Sequence, residues 1–344
     1  MKTNIKLITA ATAILALTTG CRKELCYNHF RSAGIEISWE HEWERDYGMH
    51  HSSTWDATLH GIGYDALRPG LPEGVTMLMY GEGTDPLPVF LPVTGGEVNT
   101  GSEGEKSLLF YNNDTEYIIL SDVASLRTAR ATATPRSRSS LGTIRDLHPN
   151  EPTINTPDVL YASFVSSLPE IGLHETLPFP VKMQPLVYTY LVRYEFEHGI
   201  GHVALARGAI AGMAESVYLR DGATSENSAT LLYDCQLPPY GASAQVRSFG
   251  IPGFPDEYYG KSTGTRASRR YTLNLEVRLK NGDTKEFTFD ISDQMAHQPR
   301  GGVITVDGIR VEDDENLNDS GFDVTVNDWG EHEDIDLPIG GQRQ

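Results

Sequence analysis

YTLNLEVRLKNGDTKEFTFDI, residues 271–291, decides the fold class. Tyr271, Leu273, Leu275, Val277 and Leu279 alternate with Thr272, Asn274, Glu276, Arg278 and Lys280. A period of two puts the apolar set on one face of an extended strand, whereas on a helix it would scatter round the axis. Asn281-Gly282 follows, a pair that favours the positive φ of a hairpin turn. Phe287, Phe289 and Ile291 then alternate with Glu286, Thr288 and Asp290, so the stretch reads as a β-hairpin with one buried face.

The same pattern recurs outward from it. In residues 187–197, Tyr188, Tyr190, Val192, Tyr194 and Phe196 share a face, with Thr189, Arg193, Glu195 and Glu197 on the other. Shorter candidates are 216–219, 230–235, 245–249, 303–306 and 322–326. The first half gives 35–39, 75–80, 89–93, 106–111 and 117–120, with Asn112-Asn113-Asp114 as a turn. Amphipathic helix periodicity is almost absent, no repeat of fixed period shows, and many short strands between turn residues predict β-sandwiches. Pro178, Pro180 and Pro185 interrupt pairing and mark a domain boundary. The expected domains are 34–182 and 183–338, with a tail at 339–344. Residues 127–140, rich in Ala, Thr, Ser and Arg, read as an exposed mobile loop.

The N-terminus addresses the chain. Lys2 and Lys6 precede the uncharged apolar run LITAATAILAL at 7–17, then Thr18, Thr19, Gly20 and Cys21. This is an export leader over 1–20, too short to span a bilayer as a stable helix. It resembles the lipobox of bacterial lipoproteins, with Thr18 where Leu is usual. That resemblance implies cleavage between Gly20 and Cys21, acylation of Cys21, and a lipidated tether over 21–33. The alternative is an ordinary secretory leader that a cysteine happens to follow. Several acyl chains contribute about 0.8 kcal/mol per buried methylene, enough for permanent membrane attachment.

Composition narrows the partners. The chain has 344 residues, 28 Lys+Arg against 47 Asp+Glu, and a net charge of −19. Both leader lysines are lost on cleavage and no acid is, so the overall field opposes nucleic acid. About 320 residues after the leader suit two domains. With Cys21 assigned to lipid, Cys26 and Cys235 remain in a compartment that permits pairing. They read as separate thiols, Cys235 buried in a strand, and no zinc-type CxxC spacing occurs.

No catalytic motif is complete in the sequence, and a hydrolase on a β-sandwich stays open as a third reading. No GxSxG and no Cys–His pairing is evident, and glycosidase carboxylate separations are not visible in sequence. Glu40, His41, Glu42, Glu44, Asp46, His50 and His51 are dense in metal-ligand types, but lack HExxH and read as a polar loop. His198 and His202 flank Gly199-Ile200-Gly201, which opposes a helical metal pair and reads as a turn. Asp313, Asp314, Glu315 and Asp319 do not match an EF-hand loop. No catalytic residue, metal or cofactor is expected. Trp39, Trp43 and Trp55 read as packing residues. Tyr258 and Tyr259, in the Gly- and Ser-rich stretch 253–264, are the candidate contacts for a ligand or partner.

A longer resemblance joins these parts. It rests on the lipobox, LLFYNNDTEYI at 108–118, YTYLVRYEFEHGIGHVALARGAIAGMAESVYLRDG at 188–222, FTFDISDQMAHQPRGGVITVDGI at 287–309 and GFDVTVNDWGEHEDIDLP at 321–338. The chain resembles the uncharacterised Bacteroides-type lipoproteins related to the fimbrillins, near the anchor and accessory lipoproteins of fimbriae. The resemblance covers nearly everything after the leader. It implies an all-β chain of two tandem transthyretin-like β-sandwich domains behind a lipoprotein signal. It further implies a non-enzymatic fimbrial anchor, accessory or adhesin-like role at the outer membrane, with fimbrial subunits or other surface proteins as partners. Both the cell-surface and periplasmic faces stay open. A surface glycan-binding lipoprotein of a nutrient-uptake system is the alternative.

Overall fold

A computed structural model describes residues 31–313, except 82, 84, 102–103, 138–147 and 260–268. The strands are β1 (Ser32–Trp39), β2 (Val75–Tyr80), β3 (Leu87–Leu91), β4 (Gly95–Asn99), β5 (Ser107–Asn112), β6 (Ile118–Ser121), β7 (Arg130–Ala133), β8 (Thr153–Ile154) and β9 (Tyr161–Val165). They continue with β10 (Thr176–Pro185), β11 (Tyr188–His198), β12 (Val203–Ala214), β13 (Ser216–Tyr218), β14 (Ser228–Cys235), β15 (Gly241–Ser248), β16 (Thr272–Leu279), β17 (Thr284–Asp290) and β18 (Gly302–Arg310). The expected hairpin is β16–β17, closed through residues 280–283 with Gly282 at φ 94°.

The chain is all-β and forms two tandem sandwiches. The first is a seven-stranded sheet, β3-β2-β5-β9-β10-β1-β4, that folds over where β9 meets β10. Ala33, Ile35, Val75, Met77, Leu108, Phe110, Tyr161, Val181 and Met183 fill the space between its halves. Its outer edges approach at Leu91 and Gly96. In the second, β15-β11-β18 packs on β17-β16-β12-β14-β8. Tyr190, Val192 and Tyr194 of β11 meet Leu273, Leu275 and Val277 of β16 in its core, every one of them 0% exposed. Burying each such side chain contributes about 1.5–3 kcal/mol.

The two halves share one topology. The first strand of each, β1 or β11, pairs in parallel with the last, β10 or β18, and antiparallel with β4 or β15. The facing sheets run β3-β2-β5-β9 and β14-β12-β16-β17, all antiparallel. Each sandwich is therefore closed by a strand of its own.

Prolines do not end β10, which carries Pro178 and Pro180 opposite Gly34 and Glu36. The strand tolerates them because β9 pairs with it only at Gln184 and Pro185, so most of that side bears no ladder. Only Leu186 and Val187 separate β10 from β11. Residues 130–133, read from composition as mobile loop, form β7, with Ala131 and Ala133 at 0% and 2% exposure. Their short side chains let the strand lie close on the sheet beneath.

The β5–β9 connection joins the halves. β6 and β7 cover Leu78, Leu109, Tyr111, Leu160 and Ala162 on the outer face of the first sandwich. β7 then pairs with β13, and β8 runs parallel to β14.

On β12 and β16, Arg207 and Glu276 face each other as a buried ion pair, 5% and 2% exposed. Glu276→Ala takes the carboxylate from a buried guanidinium and is expected to cost about 3–5 kcal/mol. Replacing both partners with Met and Leu should be near neutral or stabilising; urea unfolding followed by circular dichroism measures both.

Candidate functional site

The stretch between β1 and β2 crosses to the second sandwich. Trp43 O accepts from Thr189 N at 2.8 Å, and Arg45 N donates to Arg300 O at 2.8 Å. Gly301 makes this approach possible, since a Cβ there would lie 2.7 Å from Trp43 O. Trp43 is 1% exposed, with its ring 5.6 Å from Trp55 and 5.3 Å from Tyr64. Arg193, also buried, donates to Leu59 O and lies 4.1 Å over the Tyr240 ring. Trp43 and Trp55 thus pack in this connection, and Trp39 rests edge-on against Tyr161 in the first core.

The acid- and histidine-rich run 40–51 does not converge. Glu40 pairs with Arg45 and Lys182, Asp46 with His50, and His51 lies 3.1 Å from Gln298 Oε1. Glu44 is buried and accepts from Tyr64 Oη at 3.0 Å. Burial raises its pKa, against the lowering effect of the Tyr64 bond. No group of three or more His, Cys, Asp or Glu is disposed to hold a metal among the described residues.

Tyr258 and Tyr259 stand on a short helical turn, Asp256–Tyr259, after Phe254. Tyr258 is half-buried, its ring 5.2 Å from Tyr47 and 5.6 Å from Phe254. Tyr259 is 68% exposed, 5.2 Å from Tyr258 and 5.9 Å from Phe254. Arg300 lies 4.0 Å over the Phe254 ring and 5.4 Å from that of Tyr188. Tyr259 is the ring this cluster presents outward.

Three other places emerge from tertiary structure. A cavity of about 610 Å³ is lined by His148, Glu151, Glu215, Glu226 and Ser228, among others. Glu151 accepts from Ser228 Oγ, Thr230 Oγ1 and Gly212 N, which ties the β5–β9 connection to the second sandwich. His198 and His202, in the expected turn, place Nε2 atoms 3.0 and 2.9 Å from Asp313 Oδ1. Those bonds hold the Asp313 carboxyl below its usual range. Along the first sandwich, edge strand β3 exposes Leu87 (65%) and Phe90 (73%). No sequence pattern announces the first two groupings, because each joins residues far apart in the chain. Cys235 is a half-buried free thiol at the end of β14, raised in pKa by burial. Gly20, Cys21, Cys26, Trp329 and the candidate strand 322–326 lie outside the described residues.

Two closed sandwiches of equal strand order, joined by a bridging sheet, define a tandem β-sandwich protein. That fold is similar to the fold of a solved Bacteroides protein. A Bacteroides ovatus crystal structure described as a "putative adhesin" shares 20% identity, covering 85% of this chain and 95% of its own, at a TM-score of 0.55. "Putative polysaccharide binding proteins (DUF1812)" from Bacteroides thetaiotaomicron match at 12% identity over 80% and 90% of the chains, TM-score 0.45. The fimbrial anchor protein Mfa2 from Porphyromonas gingivalis matches at 8% identity over 80% and 90%, TM-score 0.44. Residues 65–234 match the family model "Domain of unknown function (DUF5119)". No curated protein matches the sequence.

Because burial raises the Glu44 pKa, its contribution to stability is fullest below the unfolded value and is lost as pH rises through the folded one. Glu44→Gln keeps an acceptor for Tyr64 and removes the buried charge. The variant should melt higher than the parent at pH 8 and equal it near pH 3.5; thermal melts across that range check the sign.

Proposed function

We propose that the protein is an adhesin-like, fimbria-associated component of the cell envelope, tethered to the outer membrane by acylated Cys21 and acting through protein contacts. The observation that carries this reading is the parallel pairing of first and last strands in both sandwiches. A body whose sandwiches are each filled by their own strand needs no donated strand to fold. It suits an anchor or accessory role, in which partners add at edges or loops. Edge strand β3 offers backbone groups beside exposed Leu87 and Phe90 for such a contact. The adhesin and fimbrial-anchor descriptions attached to proteins of related fold agree in kind. The reading is non-enzymatic.

Cys21→Ala should move the protein from the membrane fraction to the soluble extract and abolish labelling by a fatty-acid probe. Unchanged partition would sink the anchor. Crosslinking on intact cells should recover fimbrial subunits; recovery of transporter components would favour the rival.

That rival is a glycan-binding surface lipoprotein, and the exposed Tyr259 ring on its aromatic stack favours it. Tyrosine faces hold sugars through apolar ring contacts. On a glycan array this reading expects binding that Tyr259→Ala removes; silence across the array counts against it.

A further inference from the structure

The outer faces of the two sandwiches are equally hidden, but the described residues explain only one. In the first, β6 and β7 lie over Leu78, Leu109 and Tyr111. In the second, the outward row of β14-β12-β16 holds Leu232, Ala209 and Asn274, at 3%, 0% and 1% exposure. Arg207 and Glu276 stand in the next row, 5% and 2% exposed, and Arg278 is half-buried beyond them. Ala209 and Leu232 form a cluster to themselves, apart from every other buried apolar group among the described residues.

We propose that residues 314–344 occupy this face as its third layer, the counterpart of β6 and β7. The point of departure is right: β18 ends at Arg310, and His198 and His202 fix Asp313 at the end of the sheet where β12 begins. The path from there up the rows meets Arg278, then Arg207, then Ala209. The length is ample. Crossing five rows takes about 30 Å, and an extended chain rises about 3.3 Å per residue. The charge matches at the point of entry, since Asp314, Glu315, Asp319 and Asp323 open a segment whose one Lys or Arg is Arg343, and the row it meets first carries Arg278, while Arg207 beyond it is paired with Glu276. The apolar pattern matches too: Phe322, Val324 and Val326 alternate with Asp323, Thr325 and Asn327, giving an apolar face for Ala209 and Leu232. The proposal is independent of the anchor reading.

Two measurements on the intact protein test it. A benzophenone side chain at position 278 should crosslink on illumination to peptides from 314–344. Crosslinks to residues 138–147 or to a second molecule would overturn the assignment. Hydrogen exchange should show slow amides around 322–326, with that protection lost in Val324→Asp, a change outside both sandwiches. Unprotected exchange in the parent protein would equally overturn it.

Discussion

The structure depends on the parallel pairing of the first and last strand in each half. Parallel neighbours require a long crossover, so neither sandwich can close before all its other strands are placed. β1 against β10 and β11 against β18 therefore fix the topology twice over. They also hold the halves together, since β10 passes to β11 through Leu186 and Val187 alone. Such a short link leaves little freedom. The stretch that seats Trp43 beside Thr189 and the β7–β13 and β8–β14 pairings remove more of it.

This closure bears on the proposed function. Strand-addition partners usually gain backbone hydrogen bonds and side-chain pockets together. Here the pockets between the sheets are already filled, by Val181 and Met183 in one half and by Ile304 and Val306 in the other. Among the described residues, what remains for a partner is edge backbone, the apolar side chains of β3, and loops such as the one bearing Tyr259. Contact areas of that kind suit adhesion and assembly. The polar contacts of Arg207 with Glu276, Glu44 with Tyr64 and Glu151 with Ser228 and Thr230 serve sheet and inter-domain register.

Much of the strand content was legible because alternation is strong where one face meets the core. The 271–291 hairpin and β11 follow it closely. β12 was not, because VALARGAIAGMA is buried on both faces and loses the period of two. Within it, Gly208 makes room for the Tyr233 ring, which a Cβ would approach to 2.3 Å. β7 was hidden by small residues and arginines, and β10 by prolines. The repeat of strand order left no periodic trace, since the first half carries long connections after β1 and β5. At the candidate site, Tyr258 and Tyr259 stood out as aromatics among glycines. Their packing against Phe254 and Tyr47, and Arg300 over the Phe254 ring, required the fold.

The central claim is that each sandwich is complete without a neighbour. Sedimentation of the protein lacking residues 1–20, across a wide concentration range and paired with circular dichroism, tests it most directly. The account predicts a folded, β-rich monomer throughout. A chain that folds only as it assembles, or that forms ladders stable to detergent, would contradict it.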